Sequence, residues 1–167
     1  MPIHSPLQTV GYNHRCGLAG HERPCGEVRS QAYRALMLTD RVRKRLEEER
    51  VIWMTTVRKD GQPQTSVVWY LLDGDELLIY SKESIRPTNV ASHPRVALNL
   101  NSDEWGSSIV SIEGKAQIDG DAVPANVNEP FLERYRGRID QYGWTPESFA
   151  RDYPVAIRVS IDKVRAW

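Results

Sequence analysis

The chain has 167 residues and a mass of 19.1 kDa, enough for one domain with or without an appendage. Lys+Arg and Asp+Glu both number 22, and this zero net charge argues against a generic nucleic-acid binder. The longest charge-free apolar run, residues 66–72, is far shorter than the ~20 residues of a membrane-spanning helix. With no signal-peptide pattern and two cysteines, a soluble cytoplasmic protein without a disulfide framework is expected.

Residues 1–36 hold seven Gly or Pro, three of the four histidines and both cysteines, without helical or strand periodicity before Gln31. That composition predicts an irregular N-terminal extension ahead of one domain at 37–167. Cys16, His21 and Cys25 lack the close ligand couples of structural zinc, so no metal site is expected. Met37 is an alternative candidate for the start.

Regular patterning begins at Leu38. Leu38, Val42 and Leu46 recur among charges after Thr39, an N-cap residue type, and predict a helix over 40–50. Three strands follow at 51–57, 63–72 and 76–81, separated by Lys59-Asp60-Gly61 and Asp73-Gly74 turns. Pro87 suggests the first turn of a short helix over 87–92. Strands are expected at 95–100 and 108–118, the second with a bulge at Gly114. Helices at 129–142 and from Thr145-Pro146-Glu147 precede a last strand at 155–164. Strand–helix alternation is absent, which excludes a parallel α/β fold. The expected fold is mainly β (α+β), a six-stranded antiparallel barrel flanked by helices.

No GxSxG, HExxH or Gly-rich phosphate loop is present. The lone histidine of the regular region, His93, reads as a helix C-terminal cap. Ser81-Lys82-Glu83-Ser84-Ile85-Arg86-Pro87-Thr88-Asn89 joins a strand end to a helix start. Its hydroxyls and two cations there could cradle an anion, phosphate being the natural guest, or form an ordinary polar turn. Along the second strand, Gln64, Ser66, Val68 and Tyr70 share one face and Thr65, Val67 and Trp69 the other. One face must pack in the core. The other is available to a planar ligand or a partner subunit. Trp105, in the turn-like 103–106 segment, reads as a loop anchor or, alternatively, as a contribution from a second chain to a site between subunits.

The runs from Val51 through Gln64, Val68-Trp69-Tyr70, Leu78-Ile79-Tyr80-Ser81 and Asn89-Val90 to His93-Pro94-Arg95-Val96-Ala97-Leu98 carry a resemblance. They resemble the pyridoxamine-5′-phosphate-oxidase-like, FMN-binding split β-barrel superfamily, and within it the actinobacterial deazaflavin-dependent oxidoreductases. The likeness covers residues 38–167. It implies a homodimer with cofactor grooves between subunits and a small-molecule acceptor, while the balanced charge and short apolar runs lead to the expectation of no nucleic-acid or membrane partner. It also implies coenzyme F-420, alternatively FMN, as cofactor. Ser81, Lys82 and Arg86 match the phosphate-binding positions and Asn89 the helix asparagine. Gln64, Ser66, Val67 and Trp69 match the strand lining the tricyclic ring, while Trp69 or Tyr80 could touch substrate. No catalytic residue is identified. Pro87 departs from the family pattern and implies a later helix start that would move the Arg86 guanidinium; Arg86 stands where many relatives have Lys. Hydride transfer from reduced F-420 is the implied activity. The alternatives are an FMN enzyme, with residues 158–165 a weak product site, and a non-catalytic cofactor or haem carrier.

Overall fold

The computed structural model describes residues 38–167, together with the strands β1 (Arg15–Cys16) and β2 (Arg23–Pro24). The chain divides into two units, Met1–Tyr33 and Arg34–Trp167. In the first, β1 and β2 pair antiparallel, a local ladder that the extension's composition did not announce. His21 and Cys25 lie outside the described residues.

In the second unit, α1 (Asp40–Glu48) starts at Thr39, whose hydroxyl accepts the Val42 N–H. Its Val42 and Leu46 are fully buried, contributing roughly 1.5–3 kcal/mol each. Seven strands follow in one antiparallel sheet: β3 (Ile52–Val57), β4 (Pro63–Val68), β5 (Leu71–Asp73), β6 (Glu76–Ser81), β7 (Arg95–Asn99), β8 (Val110–Ile118) and β9 (Val155–Ala166). Their order is β4-β3-β7-β8-β9-β6-β5, an antiparallel sheet curled into a half-barrel with flanking helices. α2 (Ile85–Ser92) follows β6, while α3 (Glu129–Gln141) and α4 (Pro146–Asp152) lie between β8 and β9.

The strand count is seven rather than six because the expected strand over 63–72 breaks at Trp69-Tyr70. The Tyr70 N–H donates to the Tyr135 hydroxyl (3.0 Å) instead of to a neighbouring strand. A buried side chain on α3 thus takes over a ladder position, which no strand-period pattern encodes.

Alternation divides the apolar side chains between two cores. On β6, Leu77 and Ile79 face the barrel interior with Ile157, Val159 and Ile161 of β9. Leu78 and Tyr80 face the other way, onto Phe131, Leu132 and Tyr135 of α3. This strand is buried on both sides, hence its nearly unbroken apolar sequence. Among the described residues no helix is long and apolar enough to cross a membrane.

The expected irregularity at Gly114 is present, with the β8–β9 register shifting between Glu113 and Gly114. A Cβ there would collide with the Ser160 carbonyl oxygen, which is backbone and cannot step aside cheaply. Gly114→Ala should therefore lower stability by about 1–3 kcal/mol, read as a reduced urea midpoint at unchanged slope.

Candidate functional site

β4 and β6 belong to opposite ends of the sheet, and one side chain bridges them. Arg86, in the first turn of α2, donates from Nε and Nη2 to Ser66 Oγ on β4 (3.3 and 2.9 Å). Its Nη1 donates to Ser81 Oγ at the end of β6 (2.9 Å). These bonds use three of the guanidinium's five N–H groups and leave two. Among the described residues no carboxylate pairs with it. Burial pulls the guanidinium below its ordinary value, with Tyr153 opposing the shift. A half-buried cation held by neutral hydroxyls keeps its charge available, which is the chemistry of an anion site.

The helix carrying Arg86 begins at Ile85, two residues before the expected start. Pro87 is therefore its third residue, where a missing N–H has no intrahelical acceptor to lose. The proline does not displace the guanidinium.

Arg86 and Lys82 open onto a cleft of about 370 Å³, with Val67 and Trp69 on the strand side. Tyr142, Trp144, Phe149 and Tyr153 form the helical side. Lys82 Nζ lies 5.1 Å above the Tyr153 ring. Trp69 is held in the aromatic core, stacked on Tyr135 (4.8 Å, 2°) and Phe149 (5.5 Å, 11°). Tyr135 stacks by its ring on Trp69, while its hydroxyl accepts from the Tyr70 N–H and lies 2.7 Å from the Tyr70 carbonyl. Burial raises the Tyr70 and Tyr135 hydroxyls above the ordinary phenol range, so both stay protonated at neutral pH.

The helical side is set by a tight corner. Gly143 (φ 73°) ends α3, its N–H reaching the Asp140 carbonyl (2.9 Å), and the Trp144 N–H reaches that of Ile139 (3.0 Å). That pair of bonds is a Schellman cap. Thr145 then opens α4 through a capping box with Ser148. Two caps in succession leave the corner little freedom, and Tyr142 and Trp144 flank its glycine.

Of the residues singled out from sequence, Ser66, Ser81 and Arg86 are joined by hydrogen bonds, and Val67, Trp69 and Lys82 line the cleft beside them. Gln64 and Asn89 stand apart. Buried Asn89 donates to Thr56 Oγ1 (3.0 Å) and Gln64 Oε1 (3.5 Å), tying α2 to β3 and β4. Asn89 and Thr88 line a different depression, beside Arg58 and Lys59. The Tyr80 hydroxyl is used inside the fold, donating to the Val123 carbonyl and accepting from Asn128. The final-strand arginines are occupied, Arg158 by Asp119 and Asp73 (2.8 Å each) and Arg165 by Glu113 (2.5 Å). His93 caps α2 as expected, its backbone N–H on the Asn89 carbonyl. Trp105 is no anchor: it is 83% exposed, and Asp103 holds that loop by accepting from Ser107 and Trp105.

Tyr142, Trp144, Phe149 and Tyr153 were not legible as site residues one by one. A signal existed nonetheless, because Phe131, Tyr135 and these four crowd six aromatics into 23 residues of a chain that is 8% aromatic.

The family model described as pyridoxamine 5′-phosphate oxidase matches residues 38–167, the whole of the half-barrel and its helices. The chain belongs to that family. No curated protein matches it. Among solved structures, a Listeria innocua protein described as a pyridoxamine 5′-phosphate oxidase is 27% identical, with a TM-score of 0.56 over 76% of this chain and 95% of that one. A conserved hypothetical protein of Mycobacterium tuberculosis is 23% identical, with a TM-score of 0.61 over 74% and 80%. A protein named as an F-420 reductase is 23% identical, with a TM-score of 0.56 over 73% and 94%.

In this pyridoxamine 5′-phosphate oxidase family member, the Tyr135 hydroxyl is the buried acceptor for Tyr70. Tyr135→Phe should cost about 1–3 kcal/mol of stability, the penalty of an unpartnered backbone N–H. Urea denaturation reads the loss, and a red shift of tryptophan emission should accompany it as Trp69 loosens.

Proposed function

We propose that the chain is an oxidoreductase that binds the deazaflavin coenzyme F-420 and transfers hydride between it and a small organic acceptor. The observation that carries this reading is Arg86, a half-buried cation without a carboxylate, bordering an aromatic-walled cleft. A phosphoryl group needs such a cation, and a planar ring system needs such walls. F-420 and FMN share both features; the F-420 reductase neighbour and the sequence resemblance favour the first.

Ser66, Ser81, Lys82 and Arg86 would hold the phosphoryl end, and Val67 and Trp69 would border the ring. When bound, F-420 supplies a carbon that donates or accepts hydride. The chain's own part is positional: Arg86 fixes the anion against both ends of the sheet, and the apolar walls keep water from the reacting face. Among the described residues lining the cleft, Tyr142, Tyr153 and Lys82 carry protons that could accompany the hydride.

Gel filtration after equilibration with F-420 or FMN, followed by absorbance, is the direct test. F-420 should co-elute; retention of FMN alone would replace the cofactor assignment, and retention of neither would overturn it. Arg86→Ala should weaken cofactor binding roughly ten- to a hundredfold, about 1.5–3 kcal/mol, with the fold retained.

The working unit is proposed to be a homodimer. Trp53 and Val67 face each other across β3 and β4 on the outside of the sheet, 39% and 43% exposed. Val67 also borders the cleft, so a subunit seated on this patch would reach the site. Sedimentation should give about twice the 19.1 kDa chain mass, and Trp53→Glu should shift it toward the monomer while weakening cofactor retention. A wild-type monomer that binds cofactor would sink this assembly.

A further inference from the structure

We infer that two copies of the chain pair through the outer face of β4, β3 and β7, with the two-fold axis running across the strands. The loop between β7 and β8 then carries Glu104 and Trp105 of each copy onto Arg95 and Lys115 of the partner subunit. This rests on the homodimer reading above and gives it an orientation.

The register lays out the face. Val67, Trp53, Asn99 and Ser111 stand opposite one another across four strands, and so do Thr65, Thr55, Ala97 and Glu113. Opposite residues of antiparallel strands share a face. On the β4, β3 and β7 part of these two rows there is no charged residue, in a chain that is 26% charged. Toward β9 the outward charges close on each other, Glu113 lying opposite Lys163 and pairing with Arg165.

Unbalanced charge is left at the two ends. Arg95 and Lys115 stand opposite each other at one end, both exposed, and among the described residues neither has a carboxylate partner. Like charges so placed oppose the ladder that carries them. At the other end β7 runs into the 101–109 loop, whose charges are Asp103 and Glu104. Arg95 lies four residues before Asn99 and Asp103 four after it. The row of Trp53 and Asn99 is therefore midway between the basic and the acidic end.

The loop holds its shape without a partner. Asp103 accepts from the Trp105 N–H (3.1 Å) and the Ser107 N–H (2.8 Å). Ser108 has a φ of 55°, costly for a residue with a side chain, and Arg45 donates to both its carbonyl and its hydroxyl. What this scaffold presents is Trp105, 83% exposed beside Glu104. A large ring on a fixed loop loses little freedom on contact, and its face attracts cations.

Symmetry then chooses the axis. In a two-fold dimer each contact occurs twice, with the roles of the copies exchanged. An axis along the strands would set acidic loop against acidic loop and the Arg95–Lys115 pair against itself. An axis across the strands, at the row of Trp53 and Asn99, sets each loop on the partner subunit's basic pair. Glu104 neutralises that pair, Trp105 lies against it, and the uncharged rows close over each other.

Sedimentation velocity on the full chain, at low and high salt, tests this with Glu104→Lys, with the double variant Arg95→Glu, Lys115→Glu, and with an equimolar mixture of the two. Each variant alone should self-associate at least tenfold more weakly than wild type. The mixture should recover a dimer within about threefold of wild type, because only the mixed pair matches at both ends. Trp105→Ala should weaken the dimer fivefold or more, and high salt should weaken the wild-type dimer. All four positions are exposed, so an unchanged urea midpoint should show the fold intact. Variants that dimerise like wild type, or a mixture no better than its components, would overturn the orientation. A dimer that Trp53→Glu breaks and these variants do not would leave the homodimer standing and remove its axis. A monomeric wild-type chain would strike the homodimer reading itself, and this inference with it.

Discussion

The Tyr135 hydroxyl is the point on which the arrangement of the site turns. It sits where a strand would otherwise run on from Val68 into Leu71, and it takes the Tyr70 N–H that the ladder leaves unpaired. Its single proton serves the Tyr70 or the Arg50 carbonyl, at 2.7 and 2.9 Å. Next to it in sequence, Arg134 donates to the Leu46, Glu47 and Glu49 carbonyls at the end of α1 and lies over the Tyr70 ring. The Tyr70 hydroxyl donates to Leu46 as well. Two adjacent residues of α3 therefore satisfy the last carbonyls of α1 and the break between β4 and β5 together. Since Trp69 stacks on Tyr135, the strand side of the cleft inherits its position from this knot.

The guanidinium of Arg86 is partnered differently, and the contrast is chemical. Arg43 meets Asp75, Arg158 meets Asp73 and Asp119, and Arg165 meets Glu113, so these charges are neutralised where they stand. Arg86 receives hydroxyls. Serines satisfy the donors without cancelling the charge, and the desolvation they leave uncompensated is what an incoming anion would relieve. Ligand binding and closure of the seam between β4 and β6 are thus expected to support each other, since any molecule that binds only the folded chain stabilises it.

Local chemistry was well written in the chain. The β-branched and aromatic runs, the Asp-Gly turns, the Thr39 and Thr145 caps and the Gly114 irregularity each depend on residues close in sequence, and each stands where it was expected. What was not legible depends on distant partners. The break at Tyr70 requires a hydroxyl 65 positions away. The α2 start at Ile85 was hidden by Pro87, because proline is tolerated through the first helical turn and not at its first position alone. The candidate anion site was readable as a cluster of cations and hydroxyls, but the separation of Asn89 and Gln64 from it depends on which side of α2 faces the sheet.

The division of labour between the two cores explains why an aromatic wall can be carried here. The barrel core is aliphatic apart from Tyr70 and is closed by α1, so its stability does not draw on α3 and α4 for apolar area. The second core holds the rings, and it is bounded on one side by β6 and β9, which are already fixed by the barrel. A helical pair resting on a completed sheet can vary its outward side chains without endangering the sheet. Its inward ones, Phe131, Tyr135 and Ile139, are constrained by burial. Tyr142 and Trp144 lie past the last helical turn, on the corner that packing constrains least. Selection for a ligand could act on those positions with little cost to folding, which is where specificity within a shared fold is most readily altered.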